Sequence, residues 1–372
     1  MASKLIDICS YAKGKTAVAG LTAKTYISTE NMLPNKGGIT SATNLPSVDQ
    51  TSAYRKNDVL VSNIRPYFKK IWHAEYDGGC SNDVLVFRAA EGVDPTFLYY
   101  VLADDTFFNY ATATSKGTKM PRGDKSAIME YSVPTLDIEV QRKIGALLRI
   151  IDQKIAVNSK INDNLADLLQ TVYQDRFGDV VTASDQGILS DICSYSKDRV
   201  AVSKLNVSTY FSTENMMQGK AGSTDATSLP TIPQTTACHR GDTLISNIRP
   251  YFKKIVYCEN ECGCSSDVLC FTPLQAQYAA FLFSTLYSDK FFAFMVAGSK
   301  GTKMPRGDKQ QIMTYPVVLP SNNELEDFNS IAFPILEQIC SYRLENKRLS
   351  ALRDSLLPKL MSGEIDVSDI QL

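Results

Sequence analysis

The chain has 372 residues, of which 44% are hydrophobic and 21% charged; this length favours two or more domains, and this composition excludes a mainly disordered protein. The formal net charge of −1 gives no argument for nucleic-acid binding, which must therefore rest on local clusters of charge. We find no run of about 18 apolar residues, and residues 1–10 lack the pattern of a secretory signal, so we expect a cytoplasmic protein.

The sequence contains a long internal repeat at a constant offset of 184 residues. SNIRPYFKKI at 62–71 recurs without change at 246–255, and SKGTKMPRGDK at 115–125 recurs at 299–309. Two units with so long a period indicate a duplicated domain rather than a stacked solenoid. The alternative is that the duplication serves stability alone.

Each copy begins with a pattern of strands and turns. Turn residues precede the β-rich runs VLVSNI and DVLVF in the first copy, and TLISNI and DVLCF in the second. Short helices are predicted at Pro95–Tyr110 and Gln277–Phe294, where aromatic and aliphatic residues recur three or four apart. We therefore predict that each copy is a compact globular α/β domain, in a chain of α+β class.

Each copy ends in a sequence with the a/d spacing of a coiled coil. The apolar seam runs from Ile144 to Val172, and adding 184 gives a matching seam from Phe328 to Leu356. We expect the two helices to pair as long antiparallel coiled-coil helices that separate the two domains. The predicted pairing residues are Ile144, Leu148, Ile151, Ile155, Asn162, Leu165, Ile335, Ile339, Asn346 and Leu349. The alternative is an amphipathic helix that packs on its own domain.

The predicted helix length is on the scale of a DNA site. A helix from about Glu139 to Phe177 is about 60 Å long, the length of about 17 base pairs. The short polar linker at 178–187 lets the chain turn back and begin its second domain near the far end of the helix. The predicted segments are a first domain at 1–135, a long helix at 136–178, a second domain at 186–320, a second long helix at 321–362 and a C-terminal tail at 363–372.

No catalytic set of residues is shared by the two copies. The only two histidines, His73 and His239, are not equivalent in the repeat. Residues 14–16 (Gly-Lys-Thr) resemble the end of a phosphate-binding loop, but Cys9 stands where that loop needs glycine. Residues 63–67 also miss the Asn/Asp-Pro-Pro-aromatic motif of an adenine methyltransferase. We therefore predict a chain that is not an enzyme and has no catalytic residue or cofactor of its own.

The nine cysteines favour buried thiols in a reducing compartment over a metal site. Cys258, Cys262 and Cys264 suggest zinc at first, but the first copy keeps only Cys80 of these positions. No nearby cysteine or histidine pair completes a set of four ligands. We predict no metal site.

The two segments that are repeated without change are also locally basic, since each carries a net charge of +3. Cations interspersed with small residues suit phosphate binding, and the arginines can alternatively read guanine edges. A third interpretation is a surface turn and loop with solvated lysines. The candidate DNA-binding residues are Arg65, Tyr67, Lys69, Lys70, Lys116, Lys119, Arg122 and Lys125, with Arg249, Tyr251, Lys253, Lys254, Lys300, Lys303, Arg306 and Lys309 in the second copy.

This arrangement resembles the specificity subunit of type I restriction–modification systems, which has two target-recognition domains, each followed by a long helix. The most specific motifs are NDVLVSNIRPYF with GDTLISNIRPYF, the loop SKGTKMPRGDK before a Pro-containing segment (Pro134, Pro320), and LRDSLLPKLMSGEI at 352–365. Together they cover nearly the whole chain. The two domains are more alike here than is usual in that family.

The resemblance implies a sequence-specific DNA-binding subunit that is prokaryotic and not itself catalytic. Each domain would read one half of a bipartite site on double-stranded DNA, and the helices would set the unread spacer. The helices would also dock two methyltransferase subunits that carry S-adenosylmethionine, and a restriction subunit with motor activity would join them. The rival hypotheses are a stand-alone nuclease or methyltransferase, and a coiled-coil interaction protein that does not bind DNA.

Because the two domains are near-copies, we expect a nearly palindromic interrupted site. The differences between the copies cluster at Leu33–Arg55 against Met217–His239, and at Trp72–Gly79 against Val256–Gly263. Any divergence in DNA readout is expected in these stretches.

Overall fold

The computed structural model describes residues 2–178, 185–367 and 370. The chain divides into two compact units, one formed by the chain up to Val157 together with the segment from Glu345 onward, the other by Asn158–Leu344. Each unit holds one copy of the repeat and part of each of two long helices. Most of the predicted linker at 178–187 and part of the predicted C-terminal tail lie outside the described residues.

The first domain is built from ten short strands and four short helices within the described residues. Its strands are β1 (Ala2–Lys4), β2 (Cys9–Tyr11), β3 (Lys15–Ala17), β4 (Tyr26–Ile27), β5 (Gln50–Tyr54), β6 (Val59–Ser62), β7 (Ile71–His73), β8 (Gly78–Cys80), β9 (Val84–Ala89) and β10 (Ser132–Pro134). Its helices are α1 (Leu5–Ile8), α2 (Pro95–Ala103), α3 (Asp105–Ala113) and α4 (Lys125–Met129), and the long helix α5 (Ile138–Phe177) follows.

The second domain repeats this order. Its strands are β11 (Gln186–Ile188), β12 (Cys193–Tyr195), β13 (Arg199–Ala201), β14 (Tyr210–Phe211), β15 (Gln234–Cys238), β16 (Thr243–Ser246), β17 (Ile255–Tyr257), β18 (Cys262–Cys264), β19 (Val268–Pro273) and β20 (Pro316–Val318). Its helices are α6 (Ala279–Tyr287), α7 (Asp289–Ala297) and α8 (Lys309–Met313), and the long helix α9 (Asn322–Ser362) follows. The predicted α+β class with two repeated domains and two long helices is confirmed.

Each domain contains two four-stranded sheets, in the order β2-β9-β6-β7 and β3-β5-β8-β4 in the first domain and in the same order in the second. Each domain also has a two-stranded sheet, β1-β10 or β11-β20. The neighbouring strands are antiparallel except β4 and β8, and their counterparts β14 and β18. The central strands are buried on both faces, and their successive side chains point alternately to one face and the other. Val59 and Phe87 pack with the helices, whereas Leu60 and Val86 pack between the two sheets. This explains why the predicted strand runs are almost continuously apolar.

The segment predicted as one short helix in each domain is two helices in the structure. In the first domain α2 ends at Ala103 and α3 begins at Asp105, because the side chain of Asp104 caps the second helix by accepting from the Thr106 amide. Ser288 caps α7 in the same way. Periodicity missed the break because the hydrophobic pattern continues across it.

The long helices pair within each unit and also pack on the domain. In the first unit the Asn346 side-chain amide donates to the Ile155 carbonyl at 3.2 Å, and Arg353 pairs with Asp152 at 2.8 Å, so the two helices run antiparallel. Ile144, Leu148, Leu357 and Leu360 are part of that domain's core. In the second unit Leu169, Ile335 and Ile339 lie in the core of the second domain. Both arrangements considered from the sequence therefore occur together.

The remaining predicted pairing residues differ in burial. Ile151 and Asn162 are buried, at 7% and 9% exposed, whereas Ile155, Leu165, Asn346 and Leu349 are half-buried. Arg353 occupies a seam position as a charged group, and its partner Asp152 also accepts from the Tyr100 hydroxyl at 2.7 Å. A half-buried ion pair with a third hydrogen bond fixes register more than it adds stability.

The core between the two sheets is packed differently in the two domains. In the first domain Tyr54 meets Trp72 edge to face, with ring centroids 5.7 Å apart. The second domain has cysteine at the positions equivalent to Tyr54, Ala74, Gly78 and Val86. Both domains have the fifth cysteine, which is Cys80 in the first and Cys264 in the second. These thiols are Cys238, Cys258, Cys262, Cys264 and Cys270, all buried.

All nine cysteines are buried and unbridged, as predicted for structural thiols. Within residues 2–178, 185–367 and 370, no group of histidine, cysteine and carboxylate side chains is arranged to hold a metal ion. In the same residues no single helix is long and apolar enough to cross a membrane. The bent pair Ala276–Tyr287 and Asp289–Ala297, at 67° to each other, meets that criterion by length and composition only.

The first unit is expected to lose stability in mild acid through His73. Burial, followed by the charge of Arg149, lowers the pKa of His73 to about 4, and its ring stacks on Tyr99. Because an unfolded histidine has a pKa near 6.5, the stabilisation is complete above that value and is lost as the pH falls toward 4.

The His73→Tyr variant carries the residue found at equivalent position 257. Between pH 7 and pH 4.5 its first unit is expected to lose about 2 kcal/mol less stability than that of the wild type. Urea unfolding of both proteins at the two pH values measures this difference, in which the effects of titrating carboxylates cancel. Equal pH dependence in the two proteins would contradict the assignment.

Candidate nucleic-acid interface

The two basic segments lie against each other in each domain. The Arg65 amide donates to the Pro121 carbonyl at 2.8 Å, and the Gly123 amide donates to the Asn63 carbonyl at 3.1 Å. In the second domain the Arg249 amide and the Pro305 carbonyl form the same bond at 2.8 Å. The backbone therefore joins two segments that are about 50 residues apart in sequence into one surface, which we call the basic surface (62–71 with 115–125, and 246–255 with 299–309).

An unusual turn shapes this surface. Arg65 and Lys69 flank the 3-10 turn Pro66–Phe68 with φ of 51° each, and Arg249 and Lys253 repeat this with 51° and 50°. The left-handed conformation costs about 1–2 kcal/mol for a residue with a side chain, so it persists only where the surroundings impose it. The same costly backbone in both domains indicates that the position of these side chains matters.

The Arg65 guanidinium is half-buried on this turn. Its Nε is buried and has no hydrogen-bond partner, and the same holds for Nε of Arg249. The side-chain oxygens of Asn63 and Asn247, both 7% exposed, are also without a partner. Unpaired buried polar atoms are costly and uncommon. Arg65 and Arg249 are therefore the predicted residues with the most evident unused hydrogen-bonding capacity.

The predicted lysines Lys70 and Lys254 point toward the protein. Lys70 Nζ donates to the Thr29 carbonyl at 2.6 Å, and Lys254 Nζ donates to the Thr213 carbonyl at 2.5 Å. Burial lowers the pKa of both amines. These two side chains fasten the turn to the domain and are the least available of the predicted cations.

A carboxylate at the start of α3 holds two lysines together. Asp105 pairs with Lys36 at 2.9 Å and with Lys69 at 2.8 Å, and Asp289 holds Lys220 and Lys253 likewise. Desolvation raises the pKa of Asp105, but the two lysine hydrogen bonds outweigh it and leave the pKa below its ordinary value. Each triad keeps one net positive charge beside the turn.

The second basic segment carries exposed ion pairs. Lys116 pairs with Asp124 at 2.5 Å and Arg122 with Asp83 at 3.1 Å, and the second domain has Lys300 with Asp308 and Arg306 with Asp267. Exposed pairs of this kind contribute at most about 1 kcal/mol each. A phosphate group can therefore replace the carboxylate as the partner of these cations at little cost.

Several groups on the basic surface remain open to solvent. Tyr67 is 46% exposed and Met120 is 48% exposed. Lys119 and Lys303 are exposed and make no ion pair or hydrogen bond to the described residues. Lys125 and Lys309 are exposed at the first position of α4 and α8, and Tyr251 is 50% exposed. The lysines among these side chains can contact a polyanion without breaking an ion pair.

The sequence patterns did not identify one lysine of this surface, nor the acidic residues that hold its cations in place. Asp83, Asp105, Asp124 and Lys36 all recur at the offset of 184 residues, and Met120 recurs as Met304. The repeat could have indicated them, but they lie in or beside segments judged only by net positive charge. Their role depends on contacts between distant segments, which periodicity does not show.

Comparison with known proteins finds a family model that matches the first part of the chain. Residues 1–166 match the family model described as the type I restriction modification DNA specificity domain. The chain is 26% identical over 151 residues to the type I restriction enzyme EcoDI specificity subunit of Escherichia coli, covering 39% of this chain and 33% of that protein. It is 28% identical over 163 residues to the HindI specificity subunit of Haemophilus influenzae, covering 41% and 35%.

A longer match extends over both domains. The type I restriction enzyme MjaIX specificity subunit of Methanocaldococcus jannaschii is 21% identical over 308 residues, covering 75% of this chain and 71% of that protein. The crystal structure of the type I restriction–modification S subunit from M. genitalium has a TM-score of 0.53 at 16% identity, covering 97% and 96% of the two chains. This structural likeness supports the fold.

The matched regions thus span about a third of the E. coli and H. influenzae relatives, and about 70% of the M. jannaschii one. The family model covers the first copy of the repeat, and the second copy follows it without a gap. Over these ranges the chain is similar to type I restriction–modification specificity subunits.

Proposed function

We propose that this chain is the non-catalytic specificity subunit of a type I restriction–modification complex, and that each domain reads one half of a bipartite site on double-stranded DNA. The observation that carries the proposal is the basic surface, which is built from the same residues in the same conformation in both domains. The relatives found by comparison are all named specificity subunits, which favours neither a stand-alone enzyme nor a coiled-coil protein that does not bind DNA.

The chemistry of the surface suits a duplex. Open cations such as Lys119, and cations held only by exposed carboxylates such as Arg122, release counterions when they meet phosphates. Arg65, with unused hydrogen-bonding capacity, suits bidentate contacts to guanine or to phosphate. Tyr67 and Met120 offer apolar contact to the sugar or base edges.

The finer roles follow from this proposal. Two domains with the same basic surface read similar half-sites, so the full site is a nearly palindromic interrupted sequence. The long helices set the spacer and dock two methyltransferase subunits, which bring S-adenosylmethionine, and a restriction subunit joins them. The complex acts in the cytoplasm of a prokaryote.

Duplex binding at several salt concentrations tests the first part of the proposal. We expect the purified full chain to bind with a slope of log K against log salt of several units, at about 0.9 per neutralised phosphate. Absence of salt-dependent duplex binding would contradict the DNA-binding role and favour an interaction protein.

Methyl transfer separates a specificity subunit from an enzyme. The purified chain with duplex DNA and S-adenosylmethionine is expected to transfer no methyl group until a methyltransferase subunit is added. Transfer by the chain alone would overturn the assignment. Methylome sequencing of a host that carries the gene would then show whether the site is nearly palindromic, and two unrelated half-sites would refute that expectation.

A further inference from the structure

The basic surface cannot by itself make the two half-sites differ, because its segments are identical in sequence in the two domains. Any difference in readout must come from side chains that differ, are exposed and lie beside this surface. The copies differ at 20 of the 27 positions from 88 to 114, most of which form helices α2 and α3. Two further stretches also differ, Leu33–Arg55 against Met217–His239 and Trp72–Gly79 against Val256–Gly263.

The second of these two further stretches is buried at several positions, and its more exposed tip, at 75–77 and 259–261, follows the end of β7 or β17 that is remote from Ser62 or Ser246. Trp72, Ala74 and Gly79 are buried in the first domain, and their counterparts Val256 and Cys258 are buried in the second. The aromatic packing of one domain is exchanged there for the thiol packing of the other. The substitutions at the buried positions therefore repack the core between the sheets.

The first stretch contains a turn that is bonded directly to the basic surface, which we call the variable turn (33–38 and 217–222). The amides of Asn35 and Lys36 donate to the carbonyls of Phe68 and Lys69, each at 2.8 Å. Gly219 and Lys220 repeat both bonds at 2.9 Å. The backbone of the variable turn is thus held at the same place against the Pro66–Phe68 turn, or its counterpart, in both domains.

The conformation of the variable turn is also the same in the two domains. Residues 35, 36 and 38 have φ of 55°, 61° and 78°, and residues 219, 220 and 222 have 65°, 65° and 88°. The shared Lys36 and Lys220 anchor the turn to Asp105 and Asp289. Different side chains are therefore displayed on one fixed backbone.

The displayed side chains differ in chemistry. The first domain exposes Leu33, Pro34 and Asn35, whereas the second exposes Met217, Gln218 and Gly219. A carboxamide is present in both domains but at neighbouring positions, Asn35 in the first and Gln218 in the second. Asn and Gln side chains form bidentate hydrogen bonds to the edge of adenine, and an apolar side chain contacts the thymine methyl group.

We propose that the variable turn is the specificity-determining element that distinguishes the two half-sites, with Asn35 and Gln218 as the base-reading residues. The inference rests on the proposed function, because it needs the basic surface to lie on DNA. A shift of the carboxamide by one residue along a fixed backbone moves its reach along the duplex, so the two domains read an otherwise similar half-site with a difference at one or two base pairs.

Exchange of the variable turn tests the inference. The full chain carrying Leu33→Met, Pro34→Gln and Asn35→Gly receives the side chains of the second domain, and Gly37 is kept because a Cβ there would lie 2.9 Å from the Leu33 Cβ. Selection from a library of randomised duplexes gives the preferred site of each protein. We expect one half of the wild-type site to change toward the other half, with a preference for the new base of about tenfold or more at one or two positions.

Two control variants accompany this exchange. The reverse exchange, Met217→Leu with Gln218→Pro and Gly219→Asn, is expected to change the other half of the site. Glu91→Gln also introduces the residue of the second domain at an exposed position, but Glu91 follows the end of β9 that is remote from Ser62. This variant is expected to keep the wild-type site.

The outcomes separate the inference from the proposed function. An unchanged site in both exchange variants, with wild-type affinity, would overturn the inference and leave the function standing. Failure of the wild-type chain to enrich any site would count against the function itself. Loss of binding by an exchange variant is checked by its thermal unfolding: a folded variant that binds no duplex overturns the role in specificity and leaves only a general role in binding.

Discussion

Replacing Arg65 and Arg249 together with alanine is expected to weaken binding of the full chain to its DNA site by about a hundredfold. Each guanidinium lies on the left-handed turn of one domain with a buried Nε that has no partner in the protein. One well-placed arginine contact is worth about 1–3 kcal/mol, so two of them account for a loss of this size. Duplex titration at fixed salt concentration measures it.

The same variant distinguishes the two chemistries considered for these arginines. If they bind phosphates, affinity falls equally for all duplexes and the salt slope drops by about two. If they read guanine, the loss is confined to the cognate site. Removal of two exposed arginines outside the basic surface, Arg142→Ala and Arg240→Ala, serves as the charge-matched control. An equal loss in the control would show that only total charge matters.

Replacing Gly78 with cysteine is expected to destabilise the first unit by about 3 kcal/mol, although cysteine is the residue that the second domain has there. A Cβ at Gly78 would lie 2.3 Å from the Thr25 carbonyl oxygen and 2.4 Å from the Tyr54 hydroxyl oxygen. In the second domain Cys238 replaces that tyrosine, so Cys262 has room. Hydrogen exchange of the amides in β5 and β8 reports the loss in this unit.

The physical cause can be tested with a second substitution. Adding Tyr54→Cys to Gly78→Cys is expected to restore at least about 1 kcal/mol relative to the sum of the single effects, because the two residues share one space. Gly20→Cys, where a Cβ meets nothing within 4 Å, is expected to change stability by no more than about 0.5 kcal/mol. Additive single effects would mean that Tyr54 is not the obstacle.

Mutual packing of this kind explains why one repeated fold tolerates two different interiors. The strand pattern, with apolar residues on both faces of β6 and β9, is kept in both domains. Large residues in one domain, such as Trp72 and Tyr54, are replaced by small ones together. The sheet order survives because the backbone hydrogen bonds and the binary pattern are unchanged, while side-chain volumes are balanced locally.

The amino-acid sequence by itself determined the duplication, the α+β class, the central strands and the two long helices, because repeats and hydrophobic periodicity are local properties of the chain. It also indicated both basic segments by their charge. It did not indicate the helix breaks at Asp104 and Ser288, since a capping residue within an apolar run does not interrupt the period.

The tertiary structure alone decided which cations are available and what orders them. Lys70 and Lys119 are equally basic in sequence, yet one amine is bonded to the Thr29 carbonyl and the other is exposed. The joining of residue 65 to residue 121, and of Lys36 and Lys69 to Asp105, requires segments far apart in the chain to meet. Charge and periodicity can be seen in the sequence, but the burial of side chains and the pairing of charged groups arise only when the chain is folded.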